Sequence, residues 1–280
     1  MEQITREILF TSIKLTFEEI AAILALTRSP NILGMPNPLF GDMGEEDIKI
    51  LLTAGERSLI ARDFLTYPSE GEVSFHPILL SHIGPSIAPD LSIVISQYLT
   101  EGQSETVYFQ RSNSLYVRRK AFAEGVYAFD GIENDEIFLE AVLDGLQLSP
   151  ENGKGKPREF SLRLPADFFE QANQLLRDGK QDALNDHYIK NGFFDEILDL
   201  FKNDFQSGSR NTSIIIFRHE EEGITSKGLS LLITNANIWV TEQIPGNEKE
   251  VKFRLSNPTV LKKYISGLLT SKTDTQIGEN

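Results

Sequence analysis

The chain contains no cysteine. That excludes disulfides, thiol nucleophiles and cysteine–zinc sites together. Basic charge is scarce: 27 Lys and Arg stand against 41 Asp and Glu, a net charge of −14. So acidic a surface repels phosphate backbones and anionic lipid, so neither nucleic acid nor membrane is expected as a partner. No uninterrupted apolar stretch approaches the roughly 18 residues of a spanning helix. The opening MEQITREILFTSIKLTFEEI has no basic start followed by an apolar run, and is not expected to be a signal peptide. A cytoplasmic location is the resulting expectation. Catalytic signatures are missing too. GxGxxG, GxSxG and HExxH do not occur, and GKGKP at Gly153 lacks the rest of a phosphate loop. His76, His82, His187 and His219 stand at no helical ligand spacing. No catalytic residue, metal or cofactor is expected.

What is present is a 280-residue chain, 40% hydrophobic and 24% charged, long enough for two cores. Its aromatics are chiefly phenylalanine, 18 against one Trp, so the cores are expected to be rich in rings that need no hydrogen-bond partner. Residues 7–15 read as a strand. Thr16, with Glu19 three residues on, forms a capping box that opens a helix. A loop with three prolines spans 28–44. Residues 45–65 follow a helical pattern that Gly55 is expected to break in two. EVSFHPILL reads as a strand leading into a turn or short helix. Strands are predicted at 91–98, 106–111, 115–122 and 126–129, then a helix at 134–146.

The polar stretch 149–157 is the expected linker. After it the pattern restarts: a strand at 160–164, helices at 166–176, 182–190 and 193–205, strands at 212–217, 228–234, 238–241 and 250–255, and a helix from Pro258. Residues 271–280 form a polar tail. IKLTFEEIAAIL answers to LRLPADFFEQANQLL, LSIVIS to TSIIIF, LYVRR to IWVTE, and EIFLEAVLDGL to TVLKKYISGLL. The last three pairs share an offset of about 122 residues. Two similar halves, 1–150 and 158–270, are therefore expected. Each makes a small sheet with unpaired edges, which two copies bury most simply about a pseudo-twofold. The predicted class is α+β: two similar α/β halves related by that pseudo-twofold, with a central antiparallel sheet flanked by helices.

Segment 45–77 has a winged-helix-like order: helix, turn, helix, hairpin. Arg57 and Arg62 are offset there by Glu56 and Asp63, so it reads as shape without DNA binding. The acids Glu45–Asp47 and Glu133–Glu136 fall at predicted helix starts, where the helix dipole accounts for them. Arg118, Arg119 and Lys120 alternate across a strand and are expected to pair with neighbouring acids. Contact residues for a protein partner are expected in two hairpins, at Glu101 and Gln103, and at Glu220, Glu221, Glu222 and Ile224. Two alternatives stand beside a binding protein: a winged-helix-type transcriptional regulator built on 45–77, and an uncharacterised enzyme carried by acids such as Asp130 or Glu133.

The elements IKLTFEEIAAILAL, LLTAGERSLIARDFL, LSIVISQYL, SLYVRR and EIFLEAVLDGL occur in an order that resembles the EspG family, the cytosolic chaperones of type VII (ESX) secretion. GERSLIARD is the most specific piece. It is similar to that family's Gly–Arg–x–Ser–Leu–x–Ala–Arg–Gly run, with Asp63 in place of the final Gly. The resemblance implies a quasi-twofold antiparallel sheet flanked by helical bundles. It also implies a non-enzymatic, chaperone-like role, holding a helical secretion partner soluble. The expected partner is another protein with an exposed amphipathic helix, met by a monomer or homodimer.

Overall fold

A computed structural model describes residues 12–36, 43–98, 104–148, 160–206, 210–234, 237–244 and 246–270. The expected linker 149–157 and tail 271–280 lie outside them. In chain order the described elements are β1 (Ser12–Thr16), α1 (Phe17–Thr27), α2 (Glu45–Ala61), β2 (Leu65–Thr66), β3 (Ser74–Phe75), α3 (Pro77–Ile87), β4 (Leu91–Tyr98), β5 (Ser104–Ser112), β6 (Leu115–Ala123), β7 (Val126–Ile132) and α4 (Asp135–Gly145). There follow β8 (Ser161–Pro165), α5 (Phe168–Arg177), α6 (Gln181–Lys190), α7 (Asp195–Gln206), β9 (Arg210–Glu220), β10 (Gly223–Ile233), β11 (Ile238–Ile244), β12 (Asn247–Ser256) and α8 (Pro258–Thr270). The fold is α+β. A large antiparallel sheet has the strand order β1-β7-β6-β5-β4-β9-β10-β11-β12-β8, and β2 and β3 pair separately. In each half a four-strand meander ends beside the opening strand: β7 on β1, and β12 on β8.

The chain divides into two compact units. The first comprises 1–95, 106–142 and 216–226, the second 96–105, 143–215 and 227–280. In the first unit the predicted capping box is present. Thr16 Oγ1 accepts from the Glu19 amide at 3.3 Å, and Glu19 Oε2 accepts from the Thr16 amide at 2.9 Å. Fully buried Glu19 also takes hydrogen bonds from Ser58 Oγ and Arg62 Nη1, each at 2.8 Å.

Gly55 does not break its helix, contrary to the sequence reading. α2 runs unbroken, and a Cβ on Gly55 would stand 2.0 Å from the Glu18 carbonyl oxygen. The glycine is there to let α1 and α2 touch, so 45–77 supplies one helix and a short hairpin where two helices and a hairpin were expected. GERSLIARD is thus an interhelical lock: Gly55 admits the backbone, and Ser58 and Arg62 grip the carboxylate. Asp63, standing where the related run has Gly, has φ 57°, the left-handed region that glycine enters at least cost.

EVSFHPILL has the expected order, a short strand leading into a helix. Only Ser74 and Phe75 are strand, and Pro77, at the first position of α3, lacks an N–H that the helix does not need. The first unit's described core cluster is almost wholly aliphatic, with Phe129 its one ring among fourteen buried members.

The second unit's core is aromatic, with seven rings among the twelve buried members of its cluster. Trp239 lies flat on Phe253, centroids 5.3 Å apart and planes 4° apart, and Phe168 stacks on Phe193 at 5.6 Å. Buried Asp204 on α7 accepts from Trp239 Nε1 and Asn237 Nδ2, both at 2.8 Å, tying that helix to the start of β11. The strands β9 and β10 run further than predicted, to a two-residue turn at Glu221 and Glu222. Residues 223–228 are exposed and mostly polar, so no apolar alternation marked them as strand.

Candidate functional site

The second unit contains a groove of about 980 Å³. Its walls are α5, with Phe169, Ala172, Asn173 and Leu176, then α6 with Gln181, Leu184 and Tyr188, and α7 with Phe201 and Lys202. Its floor is the sheet, from Asn211 and Ser213 on β9 across Ser230 and Leu232 to Thr241, Val251 and Phe253. Tyr98 stands at one rim, and every lining residue belongs to the second unit. The doublets Phe168-Phe169 and Leu175-Leu176 explain why α5 can serve two sides. Phe168 is fully buried in the core, while Leu176 remains 49% exposed along the groove.

The groove is electrostatically unlike the rest of the chain. Among the described residues Lys202 is the one charged residue that lines it, and no Asp or Glu does. Lys202 Nζ donates to Asn185 Oδ1 at 2.7 Å. Burial pushes the Tyr188 phenol up to about 12, so it remains a neutral hydroxyl across the physiological range.

The corresponding face of the first unit is closed by its own chain. The connection from α1 to α2 spans 28–44, whereas 178–180 suffices between α5 and α6. Ile32 and Met35 are buried in the first unit's core. Gly34, at φ 72°, lies so close on the Tyr108 ring that a Cβ would stand 1.9 Å from its hydroxyl. Arg119 is 1% exposed, lies 4.0 Å over the Tyr108 ring and donates to the Leu33 carbonyl. It is opposite Phe129 on β7, just as Thr241 is opposite Phe253 on β12. The residue facing a buried phenylalanine of the next strand is thus a capped arginine in one unit and a groove-lining threonine in the other. Of the basic cluster, Arg118 pairs as expected, with Asp130 at 2.8 Å. Arg119 does not: its Nε and Nη1 have no hydrogen-bond partner, and burial pulls its pKa down to about 10.

The described lining of the groove includes none of Glu220, Glu221, Glu222 and Ile224, the four described residues predicted for partner contact. Glu220, Glu221, Glu222 and Ile224 lie on the β9–β10 hairpin, in the part assigned to the first unit, and Ile224 is 65% exposed. Glu101 and Gln103 lie outside the described residues. Asp130, one of the acids considered for catalysis, is occupied by its partners. Burial raises its pKa, but hydrogen bonds from Ser12 and Arg118 and the Arg118 charge outweigh that and hold it below the usual carboxylate range. Among the described residues no cluster of His, Asp and Glu could hold a metal ion, and no helix is long and apolar enough to cross a membrane.

A ten-strand sheet of two meanders with helices packed on it, open as a groove in one unit, defines an EspG-like fold. One solved structure it is similar to is that of the Mycobacterium tuberculosis type VII secretion system chaperone EspG5 in complex with a PE25–PPE41 dimer. The match has a TM-score of 0.66 at 11% identity and covers 96% of this chain and 99% of that one. No protein-family model and no curated protein sequence matches the chain.

Proposed function

We propose that this chain is a non-catalytic, chaperone-like protein that binds another protein in the cytosol and keeps an apolar helical surface of it covered. The observation that carries the reading is the second unit's groove. It is wide, it is lined by apolar side chains such as Phe169, Leu176, Leu232 and Val251 among hydroxyls and amides, and no described carboxylate lines it in a chain of net charge −14. A groove between helices and a sheet face, lined by apolar, amide and hydroxyl side chains together, suits an amphipathic segment laid into it. The likeness to a chaperone solved with a protein dimer supports the same role. The two halves are read as copies of one ancestral unit about a pseudo-twofold, 1–150 and 158–270. The matched strand orders support that reading. The β9–β10 hairpin, with Glu220, Glu221, Glu222 and Ile224, is assigned as a second contact.

The test is co-expression with the small helical proteins encoded beside its gene, followed by size-exclusion chromatography. A stable complex is expected, weakened by Ser230→Trp in the groove and, to a lesser degree, by Ile224→Ser in the hairpin. A complex indifferent to Ser230→Trp, or none with any neighbour, overturns the assignment.

A further inference from the structure

We propose that Lys202 makes the groove selective for the C-terminal end of a partner helix. The inference rests on the groove being a protein-docking site. The last four carbonyls of a helix have no partner within it, and together they carry roughly half a negative charge. An apolar groove that accepts such an end must offer donors and a positive charge, and must keep carboxylates away. This groove meets all three demands. Asn173, Gln181 and Asn211 place side-chain amides along its margin. Among the described residues Lys202 is its one charged lining residue, and no Asp or Glu lines it.

The ammonium is also positioned. Its bond to Asn185 Oδ1 at 2.7 Å uses one of its three donors and leaves two for a ligand. A helix N-terminus would instead present unsatisfied N–H groups and a positive partial charge to the same ammonium, which repels it. The apolar flank of the entering helix would lie on Phe169, Leu176 and Val251.

The test uses the full chain and two 16-residue amphipathic helical peptides labelled with fluorescein at the N-terminus. They share one apolar face; one ends in a free carboxylate, the other in a Lys-Lys amide. Anisotropy titrations are expected to show the carboxylate peptide binding about tenfold more tightly, a preference that falls to within about twofold in Lys202→Met and reverses in Lys202→Glu. Leu176→Gln, at a half-exposed position that leaves the fold intact, is expected to weaken both peptides equally. If Leu176→Gln weakens both but Lys202→Met leaves their ratio unchanged, docking stands and the role of Lys202 is overturned. If neither peptide binds, or Leu176→Gln changes nothing, the docking reading itself fails and this inference fails with it.

Discussion

Each unit has an opening strand, three helices, a four-strand meander and a closing helix, with the β2–β3 hairpin added in the first, and the two are packed with different chemistry. The first has one cluster built chiefly of branched aliphatics, beside a smaller group of rings at Phe109, Tyr116 and Phe138, and closes its sheet face with its own connection at 28–36. The second stacks rings and leaves the face open. A short connection and a large aromatic core go together. Rings bury much area from few positions, so the second unit holds its helices without a loop laid over the sheet. The first unit's longer connection uses the space that a ligand could have taken.

The largest expected effect tests the aromatic side of this contrast. Phe253→Ala, which removes the ring stacked on Trp239, should cost about 4 kcal/mol. Trp239 is the chain's one tryptophan, so its fluorescence in a urea titration reports the second unit. A matching shift in a probe placed in the first unit would mean that the two unfold together and are not separately stable.

Gly55→Ala tests the first unit. A methyl 2.0 Å from a backbone oxygen forces α1 and α2 apart and should cost about 3 kcal/mol in the same titration. Arg62→Ala should cost about 2 kcal/mol, because it leaves buried Glu19 with only Ser58 and the Thr16 amide. Arg62→Lys should recover part of that loss.

Acid titration sharpens the picture of the ion pair at Asp130. Its pKa is depressed in the folded state. Its contribution is therefore complete above the unfolded carboxylate value of about 3.9 and is lost as pH falls through the lower folded value. Asp130→Asn should flatten that part of the stability–pH curve. The smallest effect is a gain. Asp63→Gly relieves a left-handed residue and should add about 0.5 kcal/mol, visible as a small rise in Tm.

Much of this fold was legible before coordinates. Thr16 and Glu19 announced a helix start through local bonding alone, and the structure shows that bonding. Strand alternation at 91–98 and 115–122, and the helical spacing of 168–176, are likewise local signals. Gly55 misled because a glycine within a helix is ambiguous from sequence. It weakens the helix or admits a neighbour, and only the Glu18 carbonyl distinguishes the two. The first half of β10 was missed because a hairpin ladder is satisfied by backbone, whatever exposed side chains it carries. The groove was missed although α5 carried a trace of it. Its doubled apolar residues, Phe168-Phe169 and Leu175-Leu176, make a stripe broader than one core contact requires.

By itself the sequence determined the element order, the α+β class, the acidic charge and the absence of cysteine chemistry. Each of these depends on residue identity or on spacing along a few turns. Tertiary structure alone decided which faces closed. Whether Arg119 is capped by Leu33, whether Gly55 meets Glu18, and whether Thr241 faces open space depend on segments far apart in the chain. Periodicity records that a residue has an inside face, but the partner that fills it is chosen only when the chain folds back.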